Sequence, residues 1–200
     1  MDYNSIYVPV VRGLSFSQIE KEASAFLNLV SPESLKSPQP TPVLSIFENK
    51  MDLFCFSIVV GKNIKGLGGI TNISDRFVEL SLSTYKRLEK NDPQAKFTVA
   101  HEFGHVMLHS KNQSFGYFPS RAEVSFSRRS QIRAFEDPEW QANTFAANVL
   151  MPLQTMHSLY LRQEMTPEKV MDIYQVSWSA ATRRVLRLNI YFSERSRRGL

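Results

Sequence analysis

The sequence has almost no cysteine. Its 200 residues include a single one, Cys55, so no disulfide can form within the chain and a disulfide-held scaffold is excluded. A lone cysteine is typical of a protein from a reducing compartment. Cys55 lies in an apolar run, residues 53–60, which predicts a small buried side chain.

The chain also lacks long hydrophobic runs and internal repeats. No stretch approaches the ~20 apolar residues that span a bilayer. The first residues have neither the basic nor the apolar region of a secretory signal. We therefore expect a cytoplasmic protein with no membrane partner.

Charge is only mildly unbalanced. Lysine and arginine number 24 against 19 acidic residues, and 42% of the residues are hydrophobic. This composition is ordinary for a globular protein. The net charge of +5 permits an acidic or nucleic-acid partner but does not demand one.

What the sequence does have is a short histidine motif, H-E-F-G-H at residues 101–105. Asp92 and Pro93 are suited to the N-cap and the first position of a helix that carries it. His101 and His105 would then share one helix face within about 6 Å, where two neutral imidazoles can bind one Zn²⁺ ion. The alternative is a solvated helix with two surface histidines.

The other residues of this helix have separate roles. Glu102 points to the edge of the histidine face, which suits a general base. Gly104 costs about 1 kcal/mol in a helix interior relative to Ala, so we expect another backbone to approach closely there. His109 lies eight residues after His101, a rise of about 12 Å, and we expect it only to favour the helix C-terminus through the dipole.

A second helix is predicted over residues 139–150. Asp137 and Pro138 repeat the starting signal of the first helix, and several alanines would allow close packing against Gly104. Two histidines leave a catalytic zinc site one protein ligand short. A carboxylate from this helix would complete the set, and Asn143 would orient one imidazole.

The N-terminal part predicts a mixture of helices and strands. Residues 16–30 have an apolar stripe at helical spacing, residues 34–42 form a Ser/Pro-rich loop, and residues 44–49 form a short helix. Residues 53–60 read as a strand. Residues 76–83 alternate as a half-buried strand, either an edge strand that pairs with extended substrate or an ordinary sheet strand.

Two later segments are basic. The irregular stretch 111–135 predicts a lid or substrate wall. Residues 167–174 and 179–188 outline a helix-turn-helix, and six arginines lie within residues 183–200. A packing helix with a solvated basic face and a frayed end is favoured over a DNA-reading helix.

Two blocks of sequence resemble the ImmA/IrrE family of zinc metallopeptidases. They are F-T-V-A-H-E-F-G-H-V-M-L-H at residues 97–109 and E-W-Q-A-N-T-F-A-A-N-V-L-M-P at residues 139–152. With a weaker match at both ends, the resemblance covers most of residues 16–190. Carried over by position, it implies that His101, His105 and Glu139 bind Zn²⁺ and that Glu102 is the general base.

The resemblance also implies a fold and a domain plan. The fold class would be α+β, a minimal gluzincin-like core whose helices pack on a small, mostly antiparallel sheet, with a helical C-terminal part. Residues 1–152 would form the zinc metallopeptidase-like domain. Residues 153–190 would be a helix-turn-helix-like extension packed on it, and residues 191–200 a basic tail.

The function implied is a zinc-dependent endopeptidase whose protein substrate is a helix-turn-helix repressor or an antitoxin. The alternatives are a non-proteolytic zinc-containing binding module, a toxin of a toxin–antitoxin pair, and a DNA-binding protein that uses the basic C-terminal segment. By residue type alone, the candidates for stabilising the oxyanion are Tyr117, Arg121, His157 and Tyr160. The oligomeric state is not predicted.

Overall fold

The structure is a computed structural model that describes residues 11–61, 64, 67–110 and 133–197. The α-helices are α1 Phe16–Val30, α2 Glu33–Lys36, α3 Val43–Lys50, α4 Leu82–Glu89, α5 Pro93–His109, α6 Pro138–Leu150, α7 Leu153–Leu161, α8 Pro167–Tyr174 and α9 Trp178–Arg197. The strands are β1 Ser57–Gly61, β2 Gly69–Asn72 and β3 Phe77–Ser81. Short 3-10 helices cover Met51–Phe54 and Ala134–Glu136.

The predicted α+β class and the helical C-terminal part are confirmed. The sheet is mixed rather than mostly antiparallel, with strand order β1-β3-β2. A tight turn joins β2 to β3, so these two strands pair antiparallel. β3 lies between β1 and β2 and runs parallel to β1.

The strand predicted over 76–83 is the centre of the sheet, not an edge. Val78 and Leu80 are fully buried, as the alternation predicted. The strand ends at Ser81, whose hydroxyl accepts a hydrogen bond from the Thr84 amide and so begins α4. Of the two alternatives, the ordinary sheet strand is confirmed and the edge strand is wrong, since β2 and β1 form the two edges of the described sheet.

The strand predicted over 53–60 begins later than expected. Met51–Phe54 forms a 3-10 turn, and Cys55 follows it with a left-handed φ of 57°. Its amide donates to the carbonyl of Asp52, so the chain reverses at the surface there. Cys55 is exposed, and the prediction that it is buried is wrong. Phe56 is the residue that enters the core.

The first helix agrees with its prediction. Ser15 caps α1 in a reciprocal arrangement with Gln18, in which each side chain accepts from the backbone amide of the other residue. The predicted apolar stripe is buried in the main core: Ile19, Ala23, Phe26, Leu27 and Val30. The short helix predicted over 44–49 is α3.

The two helices that carry the motif residues begin as predicted and pack against each other. Asp92 accepts from the Ala95 amide at 2.8 Å, and Asp137 accepts from the Glu139 amide at 3.0 Å. A Cβ added to Gly104 would lie 2.8 Å from the Cα of Ala142. The expected close backbone approach at Gly104 is confirmed.

Gly104→Ala should therefore destabilise the fold. In an open helix position this change would stabilise by about 1 kcal/mol. Here the new methyl group meets backbone that cannot rotate away, and overpacking of this kind costs about 1–3 kcal/mol. Urea unfolding measures the sign directly, and a more stable Ala variant would show that α5 and α6 can separate without cost.

The last helix, α9, is longer and more buried than expected. Helix α8 has the predicted bounds, but α9 continues to Arg197, and Phe192 is buried within the main core. Arg184 is 3% exposed, and its Nη2 donates to Asn148 at 2.9 Å and to the Met151 carbonyl at 2.8 Å. The predicted solvated basic face thus includes Arg183, but Arg184 is buried. The division of the chain at residues 152 and 190 stays a prediction.

Part of the predicted lid lies outside the described residues. This part is residues 111–132, which include Tyr117 and three arginines, Arg121, Arg128 and Arg129. Among the helices that the structure does describe, none combines the length and the hydropathy needed to cross a bilayer.

Candidate metal centre

Three side chains from α5 and α6 converge at one point. His101 and His105 lie on the same face of α5, with their Nε2 atoms 3.0 Å apart. Glu139, in the first turn of α6, places its carboxylate oxygens 3.5 Å from His101 Nε2 and 3.3 Å from His105 Nε2. One ligand atom from each residue lies within 4.8 Å of the other two.

This spacing fits a tetrahedral metal ion. Bonds of about 2.0–2.1 Å at tetrahedral angles place ligand atoms about 3.3–3.4 Å apart, close to the three distances in the cluster. Burial lowers the pKa of His101 to about 4 and that of His105 to about 3. Both imidazoles are therefore neutral near pH 7, the form that donates a lone pair to a metal.

Asn143 fixes the proton on one of these histidines. Its Oδ1 lies 3.1 Å from His101 Nδ1. An amide oxygen can only accept, so the single proton of the neutral ring is on Nδ1. The lone pair of His101 Nε2 then faces the cluster. This is the position in which Asn143 was expected to orient an imidazole.

His109 plays the corresponding part for His105. It is fully buried, with Nε2 3.1 Å from Gln141 Oε1 and Nδ1 3.0 Å from His105 Nδ1. Gln141 is held by its own amide, which donates to the Phe135 carbonyl at 2.7 Å. Nε2 of His109 therefore donates to Gln141, and Nδ1 accepts from His105, which turns the lone pair of His105 Nε2 toward Glu139.

His109 and Gln141 are functional candidates that the sequence reasoning missed. The expectation that His109 serves only the helix dipole is wrong, although it lies outside the cluster of three, as expected. The spacing of four residues between His105 and His109 was the available signal, because it places both rings on one helix face. The pairing with Gln141 had no signal in the sequence.

Glu102 lies beside the three-residue cluster and not within it. Its side chain is buried, and Oε2 accepts a hydrogen bond from Thr71 Oγ1 of β2 at 2.7 Å. Burial raises the pKa of Glu102 to about 8, against the opposing effect of the Thr71 hydrogen bond. A carboxyl group whose pKa lies near the working pH can both accept and release a proton, as general acid–base catalysis requires.

Strand β2 reaches this carboxylate because Gly69 leaves room for it. A Cβ on Gly69 would lie 3.0 Å from Glu102 Cγ. The sheet edge, the proton-exchanging carboxylate and the three-residue cluster are therefore adjacent. Thr71 was not identified from the sequence.

Asn143→Ala should weaken metal binding by about 10–100-fold, since partners of this kind orient the ligand ring and raise its basicity. Metal affinity measured by competition with a chelator tests this directly. Asn143→Asp keeps an acceptor oxygen at the same place and should retain most of the affinity. Equal affinity of the Ala variant and the parent would limit Asn143 to helix packing.

The described candidates for oxyanion stabilisation lie elsewhere. His157 and Tyr160, both on α7, pack against Phe192 with ring centroids 4.9 and 4.8 Å from it. They line a separate cavity with residues of α9. The structure does not bring either of them to the cluster.

Two histidines on one face of a helix, a carboxylate from the next helix and a sheet edge beside a second carboxylate define a metallopeptidase-type site. The family model described as IrrE N-terminal-like domain, Peptidase_M78, matches residues 87–186, half of the chain. The chain belongs to the ImmA/IrrE family, as the motif resemblance predicted.

The fold is shared with a solved structure described as a Mycobacterium tuberculosis transcriptional regulator. The identity is 12% and the TM-score 0.54, over 84% of this chain and 46% of that one. This chain thus spans less than half the length of that protein. A comparison with curated protein sequences finds no match.

Proposed function

We propose that the protein is a zinc-dependent endopeptidase that cleaves a protein substrate. One observation carries the proposal. Three lone-pair donors face one another at 3.0–3.5 Å. The Nδ1–H groups of His101 and His105 donate to Asn143 and His109, which keeps the ring protons off the facing Nε2 atoms. Such an arrangement is repulsive unless a cation lies between the donors, and two histidines with one glutamate match the ligand preferences of Zn²⁺.

The residues of this chain divide the chemistry between them. His101, His105 and Glu139 would hold the ion, which supplies Lewis-acid polarisation of the scissile carbonyl when bound. Glu102 accepts a proton from the attacking water as its oxygen bonds to the carbonyl carbon. It then delivers that proton to the amide nitrogen as the C–N bond breaks.

The substrate would bind along β2. This strand is at the sheet edge and contacts Glu102 through Thr71. An edge strand offers unpaired N–H and C=O groups to which an extended peptide can add as a further strand. This arrangement would place a substrate backbone directly beside the proton-exchanging carboxylate.

The proposed substrate is a transcriptional repressor or an antitoxin. Family membership supports this class of partner, while the burial of Arg184 removes one of the arginines that a DNA-reading helix would use. To test it, the protein is purified with the regulator encoded beside it and incubated with and without a zinc chelator. A discrete, chelator-sensitive product supports the proposal. Stable binding without cleavage would favour a binding module or a toxin.

A further inference from the structure

A cavity of about 340 Å³ opens beside the metal centre. It lies between α5, α6 and α9, and Asn143 belongs to both places. Asn143 lines the cavity and is hydrogen-bonded to His101. A molecule in the cavity could therefore contact Asn143, which is itself hydrogen-bonded to the proposed zinc ligand His101.

The polar wall of this cavity is strongly basic. Arg183, Arg184 and Arg187 of α9 line it, and among the described residues no aspartate or glutamate does. Within the part of the chain that the structure describes, none of these guanidinium groups forms a salt bridge. Nη1 of Arg184 is buried without a hydrogen-bond partner there. An unpaired cluster of this kind favours an anionic occupant.

The electrostatics of Arg184 agree with that interpretation. Burial and the neighbouring Arg187 together lower the pKa of its guanidinium to about 9, against the opposing effect of Glu20. A carboxylate in the cavity would relieve both effects, since it supplies the missing opposite charge.

The opposite walls are aromatic. Phe97 and Trp140 line the cavity, and the Arg187 guanidinium lies 3.9 Å from the ring centroid of Phe16. Stacking on Phe16 holds Arg187 in place while its edge remains available for hydrogen bonds. The cavity therefore combines fixed positive charge with apolar surface.

We propose that this cavity, the arginine pocket, binds an aspartate or glutamate side chain of the protein substrate next to the scissile bond. That the bound carboxylate comes from a protein substrate rests on the proposed endopeptidase function. The arginine pocket would then set sequence specificity, because a neutral side chain would leave the guanidinium groups unpaired.

A peptide fits this pocket better than a nucleic acid does. DNA phosphates are read mostly by exposed basic side chains along a groove. Arg184 is only 3% exposed, and the aromatic walls of the cavity suit a side chain that carries methylene groups and a carboxylate.

Trp140 offers a direct optical test. The chain has two tryptophans, and Trp178, the other one, is half exposed on α9. The variant Trp178→Phe with Glu102→Gln leaves Trp140 as the sole reporter and prevents turnover. Its emission is titrated with blocked peptides Ala-Ala-Glu-Ala-Ala, Ala-Ala-Gln-Ala-Ala and Ala-Ala-Lys-Ala-Ala, with zinc bound.

The glutamate peptide should bind at least about tenfold more tightly than the glutamine peptide, since hydrogen bonds to charged groups are the stronger ones. Arg183→Gln with Arg187→Gln should remove that preference. Arg183→Gln alone provides a second variant, because among the described residues this exposed side chain hydrogen-bonds only to Ser179 of its own helix. It should reduce the preference without affecting the fold.

A matched control removes the same charge elsewhere. Arg195→Gln with Arg197→Gln takes two positive charges from the same helix, outside the arginine pocket, and should leave the preference intact. An equal loss in both double variants would reduce the effect to general electrostatics and overturn the proposal. So would equal or undetectable binding of the glutamate and glutamine peptides.

A nucleic-acid ligand is distinguished in the same experiment. If duplex DNA displaces the glutamate peptide with a steep salt dependence, and Arg183→Gln with Arg187→Gln abolishes DNA binding, the pocket is a phosphate site and the proposal fails. Failure of the endopeptidase function has another signature. The peptide preference would persist in the Glu102→Gln background, while the parent protein cleaves nothing.

Discussion

Glu102→Gln should lower substrate cleavage by about 10²–10⁴-fold, the usual contribution of a general acid–base group, while zinc content and substrate binding persist. The carboxylate lies outside the three-residue cluster, so metal affinity does not depend on it. Gln keeps the shape and can still accept the hydrogen bond from Thr71. It cannot take a proton from water, however, and only the chemical step is lost.

Cleavage of the co-purified regulator is the measurement, with zinc stoichiometry and pull-down of the regulator alongside it. Glu89→Gln makes the same substitution at an exposed position on α4 and should leave cleavage unchanged. If the Glu102→Gln protein relieves repression, or poisons its host, as well as the parent does, then proteolysis is not the function. The binding-module interpretation would replace it.

Local signals in the sequence predicted the elements that carry the site. Asp92 and Asp137, each followed by proline, begin α5 and α6 because capping and the fixed φ of proline act within one turn. The close approach at Gly104 was also predictable, because an interior glycine in a helix needs a compensating contact. In all these cases a residue and its immediate neighbours determine the outcome.

Contacts between distant parts of the chain were not predictable. Thr71 and Glu102 are 31 residues apart, and His109 and Gln141 are 32 apart. No periodicity in the sequence encodes either pairing. The same limit explains why the position of β3 in the sheet was left open between two alternatives, since alternation reports which face of a strand is buried but not how many neighbours the strand has.

The burial of Arg184 was also not predictable from the sequence. Arg184 belongs to a run of arginines that resembles a solvated face, yet it is buried against Asn148 and the end of α6. Charged residues are rarely buried unless they are paired. Its partner, 36 residues earlier in the chain, becomes visible only when α6 and α9 pack together. The arginine pocket follows from that packing.

His101→Ala with His105→Ala should abolish metal binding. Zinc content should fall from one ion per chain to near zero after dialysis, because Glu139 alone would remain and a single carboxylate does not hold Zn²⁺ against water. Metal analysis of the purified variant gives the answer, and circular dichroism checks that α5 and α6 persist. Full occupancy of the double variant would show that the metal binds elsewhere.

The remaining two histidines complete the test. His157→Ala removes an exposed imidazole on α7 and should leave zinc content unchanged. His109→Leu should weaken zinc affinity by about 10–100-fold without abolishing it, since His109 acts on the ion only through the proton and orientation of His105. Zinc affinity should therefore fall most in the double variant of His101 and His105, less in His109→Leu, and not at all in His157→Ala. This order distinguishes a residue that binds the metal from one that orients a ligand and from one that has no part in the site. A His109→Leu protein that retains full affinity would mean that α5 alone fixes the His105 ring.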